Sequence, residues 1–523
     1  MMDQAVADQK MLVKAFATTL PGQPAQFFET HISLVVVAGG YAYKFKKPVQ
    51  FDFVDFSTLD VRRFYCDEEL RLNVRLAPDI YLDVVALTGT PDRPAIGGAG
   101  PVLEYAVRMR AFEQSALWSH RLQRRLLTPE EADRLAERIA RFHDGAAVAS
   151  ADAPWCIPAA LHAIADETIG QITLLVDEEA DRERIAVLDA WEREQRARLA
   201  ERFLVRKATG SIRECHGDLH GGNILTIGET VEAFDCIEFN DSLRWIDVMN
   251  DIAFVCMDLR FAQRPDLAAR FLNLYLESTG DYAGLAVLHY YEVHRALIRC
   301  KVTLLRAVQA DGAEAASIRR QGLAYLAFAQ QRIRRRKPAI LITHGFSGCG
   351  KSTLARKLVE TLDAVQLRSD VERKRMHGIP ATERASRESG LYASSATQDT
   401  YLRLRTLAET VVRAGWPAII DATFLKAEPR AQFRQLAREL GVPFLILDMR
   451  AGEATLKARI MQRERTEHDA SDAGLEVLAL QLASHDPLSE QEMPEVLAVD
   501  AEAGRYEDAA VEVRSRLEAM SRR

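Results

Sequence analysis

The sequence predicts two domains of unlike class: an α+β, bilobal N-terminal unit and an α/β C-terminal unit built on a parallel sheet. Three observations lead there. Strand-like runs crowd toward the N-terminus, and a helical pattern takes over from Thr128 to about Gln331. That pattern ends in Arg332-Ile-Arg-Arg-Arg-Lys337-Pro338, a basic run closed by a proline that cannot continue a helix. Beyond it, short apolar runs alternate with helix-like segments, as in successive βα units. The expected limits are 1–333 for the first domain, 334–338 for a basic linker and 339–523 for the second.

Length and composition agree. At roughly 150 residues per domain, 523 residues make two large domains or about three ordinary ones. Apolar residues at 48% and charged residues at 27% exclude a disordered scaffold. A formal charge of −7 argues against bulk binding to nucleic acid or to an anionic membrane. The basic run is read as cations that complement a helix dipole, not as a nucleic-acid patch. Seven cysteines without a Cys-x-x-Cys pair give neither a zinc cage nor a disulfide framework. Asp3, Asp8 and Lys14 interrupt what a secretory signal would keep apolar, so a cytoplasmic location without membrane contact is expected.

In the first half, Ile32–Val37 and Tyr41–Lys46 flank Ala38-Gly39-Gly40 and predict a β-hairpin. A helix should follow, capped by Ser57 with Asp60 three residues on, and Phe64, Leu72 and Leu76 should line its inner face. Pro101–Met109 predicts another strand, and Cys215–Phe239 a short β-rich island in the helical lobe. In the second half, strands are expected at Ile340–Thr343, Ala364–Leu367, Pro417–Ile420 and Phe444–Leu447.

The island carries the first chemical signal. His216-Gly-Asp218-Leu-His220-Gly-Gly-Asn223 fits the spacing of a kinase catalytic loop, and a strand-like stretch ending at Asp235 follows. Phosphoryl transfer to a hydroxyl needs a carboxylate beside the attacking oxygen, an amide oxygen on a metal ion, and a second carboxylate between metal and phosphates. Asp218, Asn223 and Asp235 supply these groups in that order. Asp247 and Asp251, which follow, are read as structural, and His220 as a loop-packing residue.

On these residues the sequence resembles the aminoglycoside phosphotransferase family of protein-kinase-like small-molecule kinases, over most of residues 25–330. The resemblance implies that Lys44 is the strand lysine that holds ATP phosphates. It also implies a helical acid partner, for which Glu69 is preferred over its neighbour Glu68. Two departures stand out. No Gly-x-Gly-x-x-Gly precedes the lysine strand, which leaves the phosphate-covering turn to Thr30-His31, and Gly221 stands where that family has proline.

The second half carries Gly345-Phe-Ser347-Gly348-Cys349-Gly350-Lys351-Ser352-Thr353, a match to Gly-x-x-x-x-Gly-Lys-[Ser/Thr] between a strand and a helix. Backbone N–H groups of such a loop close around phosphate oxygens, Lys351 neutralises the β and γ phosphates, and Ser352 is placed to ligate Mg2+. Cys349 is read as filling a small position. Asp370 and Asp421 follow the second and third strands and should open on the same sheet edge, one to activate a hydroxyl and the other to organise Mg2+. This set resembles the P-loop kinase group that includes polynucleotide 5′-hydroxyl kinases, gluconate kinases and zeta-toxin-like sugar-nucleotide kinases. The resemblance implies that Asp370 is the base, which leaves Asp421 to the metal, and it implies a lid, for which Arg459, Arg463 and Arg465 with Thr466–Asp472 are the candidates.

The order of parts resembles a bacterial group of bifunctional aminoglycoside phosphotransferase-like and P-loop ATP-binding (AAA-type, polynucleotide-kinase-like) fusion proteins. The implied function is an ATP-dependent phosphotransferase with two kinase-type domains. Its cofactors are ATP and Mg2+, and its acceptors are hydroxyls of small molecules. The alternatives are one active kinase with an ATP-binding regulatory module, the missing Gly-rich loop then marking the N-terminal half as passive, or a kinase of 5′-hydroxyl nucleic-acid ends.

Overall fold

A computed structural model describes residues 2–21, 24–51, 54–334, 336–380, 394–465 and 474–520. The N-terminal lobe is a six-stranded antiparallel sheet. Its strands are β1 (Gln26–Glu29), β2 (Ser33–Ala38), β3 (Tyr41–Lys46), β4 (Tyr81–Thr90), β5 (Arg93–Ile96) and β6 (Val102–Arg110), in the spatial order β1-β2-β3-β6-β4-β5. Helix α1 (Met2–Thr19) covers one face through Val13 and Phe16, and α2 (Leu59–Asn73) packs on β6, β4 and β3. Neither α1 nor β4 was singled out in the sequence reading.

Helix α2 forms where a helix was expected, but its cap is Thr58, whose hydroxyl accepts from Val61 N, and not Ser57. Phe64 is 58% exposed, and Leu76 lies past the helix end. The buried stripe is Arg62, Cys66, Glu69, Leu72 and Asn73. This face packs against a charged cleft, and a polar inward face has no hydrophobic period to read.

The larger lobe is helical. It includes α3 (Pro129–Gly145), α4 (Val248–Phe261), α5 (Pro265–Thr279), α6 (Leu285–Val308) and α7 (Gly312–Arg332), with β7 (Ile224–Ile227) and β8 (Thr230–Ala233) forming a hairpin beside the cleft. After it comes a five-stranded, wholly parallel sheet in the order β10-β11-β9-β12-β13, where β9 is Ile340–His344, β10 Val365–Arg368, β11 Ala418–Asp421, β12 Phe444–Arg450 and β13 Val496–Asp500. Four of these strands were expected; the fifth, β13, was not.

The two halves share one apolar cluster in which Leu272 and Leu276 of α5 join Val365, Leu367, Leu404 and Trp416. At the joint Arg332 stands in the last turn of its helix, as expected, and the basic run makes ion pairs besides. Arg336 lies 3.3 Å from the Trp416 ring centroid and 3.0 Å from Asp363, while Arg332 pairs with Glu292 at 2.7 Å. Arg260 joins the same acids, Glu292 and Asp363. Burial lowers the Arg336 pKa to about 10, with the Asp363 charge opposing it. Arg260 and Arg336 thus reach Asp363 of the second half, while Arg332 pairs inside the first; Asp363 and Trp416 arrive from segments that the helix cannot anticipate. Among the described residues no helix is long and apolar enough to cross a membrane.

Candidate active sites

The N-terminal site is assembled by backbone first. Gly217 has φ +87°, and a Cβ there would lie 2.6 Å from Leu243 O, so the turn into Asp218 admits only glycine. Asp251, on α4, accepts from His216 N at 3.0 Å and Gly217 N at 2.9 Å, and meets His143 Nε2 at 3.1 Å. Burial would raise its carboxyl, but the hydrogen bond and charge of His143 bring it down to about 2. Asp247 caps α4 through Met249 N and pairs with Arg206 at 2.6 Å. Gly221 N donates to Asp258 Oδ2 at 2.8 Å, a bond that a proline at this position could not make.

Asp218 keeps 38% of its side chain exposed. Asn223 Nδ2 donates to Asp218 Oδ2 at 2.9 Å, and His220 Nε2 lies 3.4 Å from the same oxygen. His220 therefore touches the carboxylate in addition to packing on Phe254. Its surroundings would raise Asp218, but the charge and hydrogen bond of His220, then the charge of Arg299, hold it well below the ordinary carboxylate range. Asp218 is thus ionised and suited to orienting a hydroxyl more than to holding its proton.

Opposite stands Lys44, whose Nζ is 2.8 Å from Glu69 Oε1 and 2.5 Å from Asp235 Oδ1. The lysine is 25 residues from one acid and 191 from the other. Glu68 turns away to Arg71. Asp235 adopts φ +63°, a left-handed conformation uncommon outside glycine, and its N–H donates to Tyr81 Oη at 3.2 Å. Asn73 fixes the next residue by accepting from Cys236 N at 2.9 Å. The turn Thr30-His31 lies between β1 and β2, and Lys47 donates to Thr30 O.

Sequence reasoning missed Lys46, which is fully buried and bridges Glu69 and Glu238. The signal was present: residues 44 and 46 share one face of a strand with period two. Burial would raise Glu69, but the charges of Lys44 and Lys46 outweigh it and hold the carboxyl low.

The C-terminal loop runs from the end of β9 into the helix Lys351–Leu362. Gly350 has φ +88°, and a Cβ there would meet Tyr506 Oη at 2.5 Å. Lys351 Nζ turns back on the loop, donating to Phe346 O at 2.8 Å and Gly345 O at 3.1 Å. Cys349 is buried, with its Sγ 2.8 Å from a Cβ built on Gly345, consistent with a small filler. Ser352 is half-buried and Thr353 exposed. Gly348 φ is +83° against Leu456 O.

Asp421 ends β11 and accepts from Gln366 Nε2 at 2.8 Å. Its register partner is Arg368, two residues before Asp370, so both acids stand at the C-terminal edge of the sheet with the loop. Asp370 sits in the first turn of Ser369–Met376, 3.5 Å from Arg373 Nη1. Gln481, which the sequence did not mark, accepts from Ser347 N at 2.9 Å and donates to Ser347 Oγ at 3.0 Å. Arg459 Nη2 donates to Ala501 O at 2.8 Å, and Nη1 lies 3.8 Å from a Cβ built on Gly350. Thr466–Asp472 and the side chains of Arg463 and Arg465 lie outside the described residues.

A kinase-like bilobal domain followed by a parallel-sheet P-loop domain is the class these features define. A family model described as "Phosphotransferase enzyme family" matches residues 106–288, and one described as "AAA domain" matches residues 340–488. An uncharacterized protein of Mycobacterium tuberculosis is 30% identical over 465 residues, covering 88% of this chain and 90% of its own, and one of Mycobacterium bovis matches to the same extent. The chain belongs to one family with these mycobacterial proteins, as a fusion of a phosphotransferase-family domain and an AAA domain, and it is an ATP-dependent kinase. Among solved structures it is similar to a choline/ethanolamine kinase family protein from Mesorhizobium loti. That match has 15% identity and a TM-score of 0.36, covering 62% of this chain and 99% of that one. It is also similar to a gluconokinase from Sinorhizobium meliloti, with 22% identity and a TM-score of 0.26, covering 36% of this chain and 98% of that one.

Proposed function

We propose that the chain carries two ATP-dependent phosphotransferase sites, each moving the γ-phosphoryl group of ATP to a hydroxyl of a small molecule. The observation that carries the reading is the meeting of Lys44 with Glu69 and Asp235 across the cleft from Asp218 and Asn223. In the N-terminal site Lys44 holds phosphate oxygens, Glu69 keeps its ammonium in place, and Asp218 orients the acceptor hydroxyl. Asn223 spends its amide nitrogen on Asp218, which leaves its oxygen, with the Asp235 carboxylate, as an all-oxygen donor set that suits Mg2+. When bound, Mg2+ would neutralise phosphate charge there.

In the C-terminal site the loop Gly345–Thr353 cradles phosphates, Lys351 leaves its carbonyl partners for them, and Asp370 serves as base. Ser352 and Asp421 again offer oxygen donors to Mg2+, and Arg459 stands beside the loop as a phosphate ligand. We place the domains at 1–333 and 339–523, in the cytoplasm. The test is an ATP-dependent mass-gain screen of small hydroxyl compounds with the full chain and with its Asp218→Asn and Lys351→Ala variants. Products lost in one variant and kept in the other support two sites; products kept in both reject the assignments.

A second reading, one active kinase with an ATP-binding regulatory module, is favoured by the bond between Gln481 and Ser347 N. That contact ties the loop to the helix Leu475–Ser484, which gives nucleotide binding there a route to the rest of the chain, so in this reading the regulatory half is the C-terminal one.

A further inference from the structure

The described chain contains six buried arginines: Arg62, Arg206, Arg244, Arg260, Arg295 and Arg430. Five of them are within 4 Å of a carboxylate: Glu104 for Arg62, Asp247 for Arg206, Glu214 for Arg244, Glu292 for Arg260 and Glu492 for Arg430. Arg295, 6% exposed on α6, has no such acid among the described residues. Its Nε donates to Asn250 O at 3.3 Å, and its Nη2 is buried without a hydrogen-bond partner. A guanidinium withdrawn from water with no carboxylate at ion-pair distance is costly.

One helical turn further on, Arg299 repeats the situation. It has no carboxylate within 4 Å among the described residues, and its Nε is buried without a partner. Its Nη1 lies 3.3 Å from His220 Nε2, which is itself 3.4 Å from Asp218 Oδ2. Arg295 rests on Phe254 at 4.8 Å, the same ring that His220 packs on at 5.2 Å. Two like charges four residues apart on one helix face repel, and the carboxylates of Asp218, Asp251 and Asp258 offset this only from beyond ion-pair distance. The nearby acids are committed elsewhere: Asp251 to His143 and the His216 and Gly217 N–H groups, Asp258 to Gly221 N.

The two arginines come from the helical lobe, on α6, whereas Lys44 comes from the sheet lobe. They border Asp218 through His220 and leave the phosphate side of the cleft to Lys44, Asn223 and Asp235. We infer that the acceptor of the N-terminal site is an anion, a hydroxyl compound bearing a carboxylate or phosphate that pairs with Arg299 and is backed by the buried charge of Arg295. The inference rests on the N-terminal kinase reading and names the substrate class of that site. A planar guanidinium fork binds either group bidentately, so the same pair serves a hydroxy acid or a phosphate ester. The reaction forms a bond between the acceptor oxygen and the γ-phosphorus, breaks the β–γ bridge, releases ADP, and sends the hydroxyl proton to Asp218 or solvent.

The experiment uses the full chain with Lys351→Ala to silence the second site. Binding is read by calorimetry with two ladders: glycerol, glycerate and glycerol 3-phosphate, and glucitol, gluconate and glucose 6-phosphate. The expected result is that an anionic member of a ladder binds at least tenfold tighter than the uncharged member, and the preferred anion tells carboxylate from phosphate. Arg299→Gln should abolish that advantage with ATP affinity unchanged, and Arg295→Lys should retain it. Equal binding across the ladders, absence of binding by any member, or an Arg299→Gln defect confined to ATP would overturn the inference. Selective anion binding without ATP-dependent mass gain would instead overturn the kinase reading and leave the anion site standing.

Discussion

The two candidate sites treat their lysines in opposite ways. Lys44 and Lys46 are locked among Glu69, Asp235 and Glu238, so the N-terminal site is a paired charge network whose removal would strand acids in the lobe. Lys351 donates to carbonyls and to Cys349 Sγ, all within its own loop, so the C-terminal site is a local device and not part of a wider charge network. Phosphate binding can thus be built either as part of the structural charge network or apart from it, and the two should fail differently.

The largest expected effect is Lys46→Met. It leaves Glu69 and Glu238 facing each other in the interior and should cost about 3–5 kcal/mol, seen as a lower urea midpoint for the N-terminal lobe. A loss below about 1 kcal/mol would show that the network is not structural. Next comes Asp218→Asn, which should lower N-terminal transfer roughly 10²-fold or more with ATP binding retained. Wild-type turnover in this variant would remove Asp218 from the mechanism.

The joint between the halves gives a pH test. Burial would raise the Glu292 carboxyl, but Arg260, Arg332 and Arg336 lower it to about 2 from an ordinary 4.5. A depressed folded-state pKa contributes stability that is present above pH 4.5 and is lost as pH falls toward 2. Urea midpoints measured from pH 6 to pH 3 should therefore drop steeply for wild type and more gently for Glu292→Gln, which starts lower. Parallel curves would disprove the role of that acid. The smallest effect sharpens the comparison itself. Lys351→Met should change stability by no more than about 0.5 kcal/mol while weakening ATP binding at the second site, as read by the loss of one of two nucleotide sites in titration of the full chain. A stability loss matching that of Lys46→Met would erase the contrast between the sites.

Much of both sites was legible because their motifs are contiguous. The turn at Gly217, the spacing of Asp218 and Asn223, and the loop Gly345–Thr353 are local geometries in which backbone angles and residue order already define the shape. The family resemblance narrowed the acid that would meet Lys44 to Glu68 or Glu69, helical spacing favoured Glu69, and Glu69 is the one that faces inward. Phe64 misled because helix α2 buries polar groups against the cleft, and the strand Val496–Asp500 went unread because its short Val-Leu-Ala-Val run carries little pattern.

By itself the sequence determined the two fold classes, the alternation of strands and helices and the chemistry available at each motif, since these follow from contacts within a few residues. Only the tertiary structure decided which charges meet. Lys44 reaches Asp235 across 191 residues, Arg336 stacks on Trp416 of the next domain, and Arg295 has no acid within ion-pair distance among the described residues. The reason is that Coulomb energy in a buried site depends on distances of a few ångströms. The packing of distant segments sets those distances, and no local pattern encodes them.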